Sequence, residues 1–114
     1  MPYIDVKTNI STDKTMKDSL KTELTKALEN SFPGKTERWL MLNFTSDCEM
    51  YFAGSDKPCM MVDISIFGSQ SDKNYDKMTA AVCELVESVC KIPQGRVYVK
   101  YSEYTHWGFG GSNF

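Results

Sequence analysis

The stretch Pro58-Cys59-Met60-Met61-Val62-Asp63-Ile64-Ser65-Ile66-Phe67-Gly68 decides the fold of this 114-residue chain. Every second side chain is apolar and branched or flexible, which is the period of a β-strand. The pattern predicts a strand over residues 58–67, ended by the residues from Gly68 to Asp72. Its core face carries Met60, Val62, Ile64 and Ile66.

The residues after this strand change to a helical period. Apolar side chains recur at spacings of three and four, which predicts an amphipathic helix that stops before Pro93-Gln94-Gly95. A further strand follows over about 96–101. The helix stripe consists of Tyr75, Met78, Val82, Leu85, Val86 and Val89, and the strand presents Val97, Val99 and Tyr101 to the core.

The first half of the chain repeats this order of elements. A strand over 2–9 precedes a helix capped by Ser11, Thr12 or Asp13, which ends before Pro33-Gly34. A second strand over about 38–44 follows, and residues 45–57 are polar and turn-rich. The core-facing residues are Ile4, Val6 and Thr8, then Met16, Leu20, Leu24, Ala27 and Leu28, then Leu40, Leu42 and Phe44.

The two halves superimpose at an offset of about 58–60 residues, so that Arg38-Trp39-Leu40 falls on Arg96-Val97-Tyr98. Each strand–helix–strand unit favours a crossover between parallel strands. The sequence therefore predicts one α/β domain over residues 1–114. Its two β-α-β repeats form a four-stranded mixed sheet with two helices on one face.

The face of the sheet opposite the helices carries an unusual mixture of apolar and charged side chains. One interpretation is a solvated face, and the other is a face covered by further subunits with its charges around a hydrated centre. The amount of apolar surface favours the second. This face consists of Tyr3, Asp5, Lys7, Trp39, Met41, Asn43, Cys59, Met61, Asp63, Ser65, Phe67, Tyr98 and Lys100.

Composition and charge exclude several classes of partner. With 13 basic and 15 acidic residues the net charge is −2, which gives no bulk attraction to nucleic acid or anionic lipid. No apolar stretch is long enough to span a bilayer, so no membrane partner is expected. The first residues lack the pattern of a secretory signal, and we expect synthesis in the cytosol.

The four cysteines, at 48, 59, 83 and 90, predict neither a redox motif nor a metal site. No Cys-x-x-Cys pair is present, and a helical Cys83–Cys90 pair would be about 10 Å apart along the axis, too far for a disulfide. The single histidine, His106, leaves no recognisable zinc ligand set. We expect reduced structural thiols and no metal.

Conventional catalytic groups are also missing. His106 has no clear catalytic partner, and a lone histidine is more often structural. The glycine-rich segment Gly108-Phe109-Gly110-Gly111 is not followed by a helix, so it is no phosphate loop. Asp5 and Asp63 are paired carboxylates by position, but Lys7 and Lys100 on the same face favour an ion network instead.

One further candidate is Pro2. Removal of Met1 is expected when the next residue is small, and it would leave a secondary amine at Pro2. An α-amine ordinarily has a pKa of about 7.7–8.0. Burial beside a lysine would lower that pKa and keep the amine neutral near pH 7, able to take a proton from a carbon next to a carbonyl.

With these motifs in order, the chain resembles the macrophage migration inhibitory factor family of the tautomerase superfamily, in register over all 114 residues. The tail looks most like that of protozoan members. The resemblance rests on Met1-Pro2, Pro33-Gly34-Lys35, Phe52-Ala53-Gly54-Ser55, Pro58-Cys59, Ser65-Ile66-Phe67-Gly68, Arg96-Val97-Tyr98 and the tail from Trp107 to Phe114.

The resemblance implies a homotrimer with sheets around a central channel and active sites between neighbouring subunits. It implies keto–enol tautomerase activity without a cofactor, on phenylpyruvate-like 2-oxo acids and on dopachrome-like compounds. Pro2 would be the catalytic base and Lys35 would bind the substrate carboxylate. The other implied binding residues are Phe67 through its backbone N–H, Tyr98 from the neighbouring subunit, and the pocket residues Trp39, Trp107, Phe109 and Phe114.

Three positions depart from the family pattern. Lys100 replaces the usual asparagine two residues after Tyr98 and would add a second cation to the pocket. The segment Cys59-Met60-Met61-Val62 keeps only the first cysteine of a thiol-redox motif found in some relatives. Ser65 replaces a histidine near the end of the third strand.

Two classes of function stay open at this point. The first is a cytoplasmic or signal-independently secreted enzyme that moves a proton between carbon and oxygen, the activity of a phenylpyruvate tautomerase or L-dopachrome isomerase. The second is a cytokine or cytokine mimic that binds a cell-surface receptor and keeps the pocket as a vestige. A phenylpyruvate assay discriminates between them.

Overall fold

The computed structural model describes residues 1–114. Its main elements follow the predicted order, and each half contributes two strands and one helix. They are β1 (Pro2–Thr8), α1 (Lys14–Ser31), β2 (Met41–Thr45), β3 (Met60–Phe67), α2 (Asp72–Cys90) and β4 (Val97–Tyr104), followed by a short hairpin of β5 (Gly108–Phe109) and β6 (Ser112–Asn113).

The four long strands form one mixed sheet in the order β2-β1-β3-β4. Within each half the strands are parallel, β1 with β2 and β3 with β4. The halves join through the antiparallel pair β1 and β3, in which Pro2 lies opposite Ile66 and Thr8 opposite Met60. The predicted α/β fold with two repeats is confirmed.

Both helices begin at a side-chain cap that satisfies a backbone donor. The Asp13 carboxylate accepts a hydrogen bond from the Met16 N–H at 2.8 Å, and the Ser71 hydroxyl accepts one from Asn74 N–H at 3.1 Å. Helix α2 ends at Lys91, which takes the left-handed conformation with φ of 60°. The caps fix the first residue of each helix that connects two parallel strands of the sheet.

The core lies between the two helices and one face of the sheet. Most residues of the predicted stripes of α1, α2 and β3 are buried there, with Ile64, Ile66 and Met78 fully inaccessible, while Met16, Tyr75 and Val89 are half-buried at its margin. Phe32 and Ile92, just beyond the two helices, are also fully buried and were not in the predicted stripes. Phe32 packs edge-on against Tyr75 at 5.6 Å between ring centroids.

The predicted start of the second strand at residue 38 is wrong. Residues Glu37–Trp39 form a turn of 3₁₀-helix, closed by a hydrogen bond from Leu40 N–H to the Glu37 carbonyl at 3.1 Å, and β2 begins at Met41. Alternation alone does not distinguish such a turn from a strand end. The fourth strand runs three residues further than predicted, to Tyr104, and the closing hairpin was not predicted.

The open face of the sheet carries the predicted ion network. The Lys7 ammonium lies 2.6 Å from Asp5, and Lys100 lies 3.3 Å from Asp63. Hydrogen bonds from Asn43 and Lys7 lower the pKa of the Asp5 carboxyl. Exposed apolar side chains on the same face include Met41 at 66% and Tyr98 at 59% exposure, so much of its apolar surface is uncovered in one chain.

Cys59, which is predicted on the open face, lies one residue before β3 and is buried, but it does not belong to the hydrophobic cluster between the helices and the sheet. Its carbonyl accepts a hydrogen bond from the Thr8 hydroxyl at 2.7 Å. All four cysteines are free. The structure contains no group of three or more His, Cys, Asp or Glu side chains placed to bind a metal, and none of its helices has the length and apolarity to span a membrane.

Candidate active site

A cleft of about 690 Å³ opens at the end of the sheet where β1 begins. Its walls come from the first residues of the chain, the turn before β2, and the segment after β4. It is lined by Met1, Pro2, Tyr3, Arg38, Trp39, Leu40, Met41, Ser65, Tyr104, His106, Trp107, Gly108 and Phe109. The sequence-predicted residues Pro2, Trp39, Trp107 and Phe109 are thus brought together.

Pro2 is buried as the first residue of β1, with Met1 half-buried ahead of it. The Met1 carbonyl accepts a hydrogen bond from the Phe67 N–H at 3.0 Å. In this form the Pro2 nitrogen is a peptide nitrogen without a basic lone pair, and the Phe67 N–H is occupied. Met1 therefore blocks both the Pro2 base and the Phe67 N–H donor that the resemblance implies.

Lys35 lies at the same corner of the molecule. Its ammonium donates a hydrogen bond to the Phe67 carbonyl at 3.1 Å. The turn that presents it is closed by its own N–H, which donates to the Phe32 carbonyl at 3.1 Å, and Gly34 supplies the required φ of 81°. Lys35 does not line the main cleft, but it borders the chain's amino group.

The amino group at Met1 reports the electrostatics of this corner. Its pKa is lowered from 8.0 to about 6, first because burial penalises the cation and second because the Lys35 charge repels it. A hydrogen bond with the Lys35 side chain lowers this pKa further. An amine in this environment is largely neutral at pH 7, which is the working form of a base.

Aromatic side chains form the wall next to this corner. The Trp39 ring lies 5.1 Å from Phe109 and 6.2 Å from Phe114, both edge to face. Phe114 is 5.9 Å from Phe67, so the tail closes over the end of β3. Gly110 and Gly111, with φ of 62° and 107°, make the turn that folds the tail back. The predicted residues Phe67 and Phe114 thus adjoin the cleft.

Tyr98 and Lys100 are not brought to this cleft within one chain. Tyr98 pairs with Met61 and Pro2 pairs with Ile66, five residues away along β3, or about 17 Å. The Tyr98 ring contacts Phe52 instead, at 4.8 Å, and Lys100 pairs with Asp63. Either residue can reach a Pro2 only in a second copy of the chain.

Arg38, Tyr104 and His106 are among the cleft-lining residues that sequence reasoning did not assign to it. Arg38 immediately precedes Trp39 and shares its turn, and Tyr104 packs edge-on against Trp107 at 5.9 Å. The sequence favours a structural role for His106, yet it is exposed in the wall beside Trp107. All three lie close in sequence to Trp39 or Trp107, and this proximity is the sequence signal that points to them.

The comparison with known families agrees with this geometry. A family model of macrophage migration inhibitory factor (MIF) matches residues 1–114. The chain belongs to the MIF family. MIF-family proteins are oligomeric, bind small substrates, and with the rest of the tautomerase superfamily are generally isomerases.

Individual MIF-family relatives cover the whole chain at modest identity. A MIF homolog from Brugia malayi is 28% identical over 119 aligned positions, which cover 100% of this chain and 99% of the relative. MIF from Mus musculus shows the same identity and coverage. The crystal structure of Leishmania major MIF2 superimposes with a TM-score of 0.93 at 26% identity, over 100% of this chain and 97% of that one.

Proposed function

We propose that this protein is a keto–enol tautomerase that acts on phenylpyruvate-like 2-oxo acids and on dopachrome-like compounds, with Pro2 as its general base. The observation that carries the proposal is the corner beside the cleft, where Pro2 lines the cleft, the Lys35 ammonium donates to the Phe67 carbonyl, and the Phe67 N–H donates to Met1. It combines a base position, a cation and an N–H donor. Membership of the MIF family supports the same reaction class.

The first step of the proposed reaction depends on removal of Met1. Without Met1, the Pro2 nitrogen becomes a secondary amine, and the Phe67 N–H that now donates to the Met1 carbonyl becomes free. The neutral amine takes the proton from the carbon beside the substrate carbonyl. The C–H electron pair forms the C=C bond, and the carbonyl electron pair moves to oxygen as an enolate.

The cation and the donor then act on the charges of the substrate. The Lys35 ammonium binds the carboxylate, and the Phe67 N–H donates to the substrate, where it stabilises the developing oxyanion. The protonated Pro2 or water returns a proton to oxygen, which completes the enol without any change of oxidation state. No cofactor takes part in these steps.

We propose that the working form is a homotrimer. Met41 and Tyr98 are exposed on the open face of the sheet, and Tyr98 is too far from its own Pro2 to act there. A neighbouring copy would bring Tyr98 and Lys100 to the cleft and cover the apolar part of this face. Light scattering should return three times the 13.0 kDa chain mass, and a monomer at micromolar concentration would contradict the trimer.

The experiment that tests the proposed activity is the enol–keto conversion of phenylpyruvate, followed by absorbance, with mass spectrometry of the N-terminus on the same sample. Turnover by a sample with free Pro2 is expected. The variant Pro2→Ala keeps a primary amine and should retain a small residual rate. No turnover by a folded, Met1-free sample would overturn the enzymatic proposal in favour of a cytokine-like binding protein.

A further inference from the structure

The main cleft has an unusual balance of charge. None of its thirteen lining residues is an aspartate or glutamate, although the chain as a whole carries 15 acidic and 13 basic residues. Within one chain its permanent side-chain cation is Arg38, and His106 is its other basic side chain. An apolar cleft that presents a permanent cation without a counter-ion is suited to an apolar ligand with negative charge.

Arg38 is the unexplained member of this set. The chain has two arginines, and the other one, Arg96, directs its guanidinium at the backbone carbonyls of Phe52, Ser55, Lys57 and Pro58. Arg38 has no such partners, and the four ion pairs of the chain involve other residues. Its hydrogen-bond donors are therefore available to a ligand.

The position of Arg38 is set by Trp39. The guanidinium carbon lies 5.0 Å from the centroid of the Trp39 ring, a cation–π distance. Both residues belong to the same 3₁₀ turn, so the charge is held beside the aromatic wall. A substrate ring packed against Trp39 would therefore lie on the same wall of the cleft as this guanidinium.

Lys35 and Arg38 lie at different parts of the site. Lys35 borders the backbone of Phe67 and Met1, at the corner where the reacting carbon would lie. Arg38 lines the open part of the cleft, beside the aromatic side chains. A planar guanidinium binds a carboxylate through two parallel hydrogen bonds, which gives selectivity as well as affinity.

We propose that Arg38 is a specificity-determining residue that binds a second carboxylate, so that the preferred substrates are aromatic 2-oxo acids with an acidic group on the ring. The proposal rests on the proposed tautomerase function and extends it from a monoacid to a diacid. It assigns the 2-oxo carboxylate to Lys35 and the ring carboxylate to Arg38.

The test compares phenylpyruvate with (4-carboxyphenyl)pyruvate at low ionic strength. The ratio of their kcat/KM values should favour the diacid about ten- to hundredfold, the range of a charge-assisted hydrogen bond. In Arg38→Gln the ratio should fall toward one, and in Arg38→Lys it should fall partway, because an ammonium cannot form the bidentate pair. Added salt should reduce the wild-type preference, since Arg38 is exposed.

The matched control is Lys17→Gln, which removes an exposed cation on α1, away from the cleft lining. It should leave the ratio at its wild-type value. A wild-type ratio near one, or an unchanged ratio in Arg38→Gln, would overturn the proposal. A fall of the same size in Lys17→Gln would also overturn it, because the effect would then come from net charge.

Calorimetric binding separates this proposal from the proposed reaction. Cinnamate and 4-carboxycinnamate have no ketone and cannot tautomerise, so their binding ratio measures Arg38 without catalysis. If neither oxo acid is turned over, the proposed reaction fails, yet a diacid preference that disappears in Arg38→Gln still supports the carboxylate site. Equal binding of the two cinnamates by the wild type would overturn it.

Discussion

The backbone N–H of Phe67 donates a hydrogen bond to the carbonyl oxygen of Met1, at 3.0 Å. Met1, which acylates the Pro2 nitrogen, therefore also accepts the hydrogen bond from the N–H group that is proposed to bind the substrate. Removal of one residue would free the base and the donor together. The state of the N-terminus is for this reason central to every measurement of activity.

The first prediction concerns the carboxylate-binding role of Lys35. Lys35→Ala should raise KM for phenylpyruvate and reduce kcat/KM by about 1.5–3 kcal/mol, the value of a hydrogen bond to a charged group. Steady-state kinetics measure this directly, with Lys17→Ala as a control for loss of a surface cation. Unchanged kinetics in Lys35→Ala would contradict this role and show that Lys35 is an ordinary loop lysine.

The pH dependence of kcat/KM should follow the titration of the Pro2 amine. Because the protonated amine cannot accept a proton, kcat/KM should rise with pH through the pKa of the amine and level off above it. Burial and Lys35 lower the pKa of the Met1 amino group to about 6. We expect the same two effects to act on the Pro2 amine that replaces it, so the midpoint should lie below the ordinary value of about 8. In Lys35→Ala the rise should move to higher pH, because a repelling charge is gone. A midpoint at or above 8 in the wild type would contradict the predicted environment.

The fold was accessible from sequence because its strands and helices carry different and regular periods. The alternation in β3 matches its buried residues, and the stripes of α1 and α2 match theirs apart from the half-buried Met16, Tyr75 and Val89. The turn at Glu37–Trp39 was not accessible, since Trp39 and Leu40 continue the alternation of β2 while the backbone hydrogen bonds form a 3₁₀ turn.

The site was only partly accessible from sequence. Pro2 is a candidate base from its position after Met1, whereas Lys35 and the aromatic pocket residues depend on the family resemblance, because no local pattern distinguishes Lys35 from any lysine after a turn. Arg38 and His106 needed the three-dimensional cleft, since their role depends on what the tail from residue 107 onward packs against. The distance between Tyr98 and Pro2 likewise follows from strand register, which alternation does not supply.

Arg96 should be a major stabilising residue of the loop before β3. Its guanidinium donates to four backbone carbonyls and lies 5.3 Å from the Phe52 ring centroid, and Phe52 in turn contacts Tyr98. Arg96→Lys should lower the free energy of unfolding by about 1–3 kcal/mol, because several carbonyls lose their donor. Denaturant unfolding measures it, and Arg38→Lys is the matched control. Equal stability of the two variants would contradict a stabilising role for the Arg96 hydrogen bonds.

The protein should be a poor thiol–disulfide oxidoreductase. Cys59 is only 2% exposed, and burial raises the pKa of Cys83 and Cys90, which lowers their thiolate fraction. Insulin-disulfide reduction should stay near the rate without protein. Robust reduction that disappears in Cys59→Ser would show that the thiol becomes accessible and that this reasoning is wrong.

The measurement that tests the central claim most directly is phenylpyruvate turnover by two folded samples whose N-termini are verified by mass spectrometry. One sample has Pro2 free and the other retains Met1. The account predicts turnover in the first sample and none in the second, with the same oligomeric mass in both. Equal rates in the two samples would contradict the assignment of Pro2 as the base.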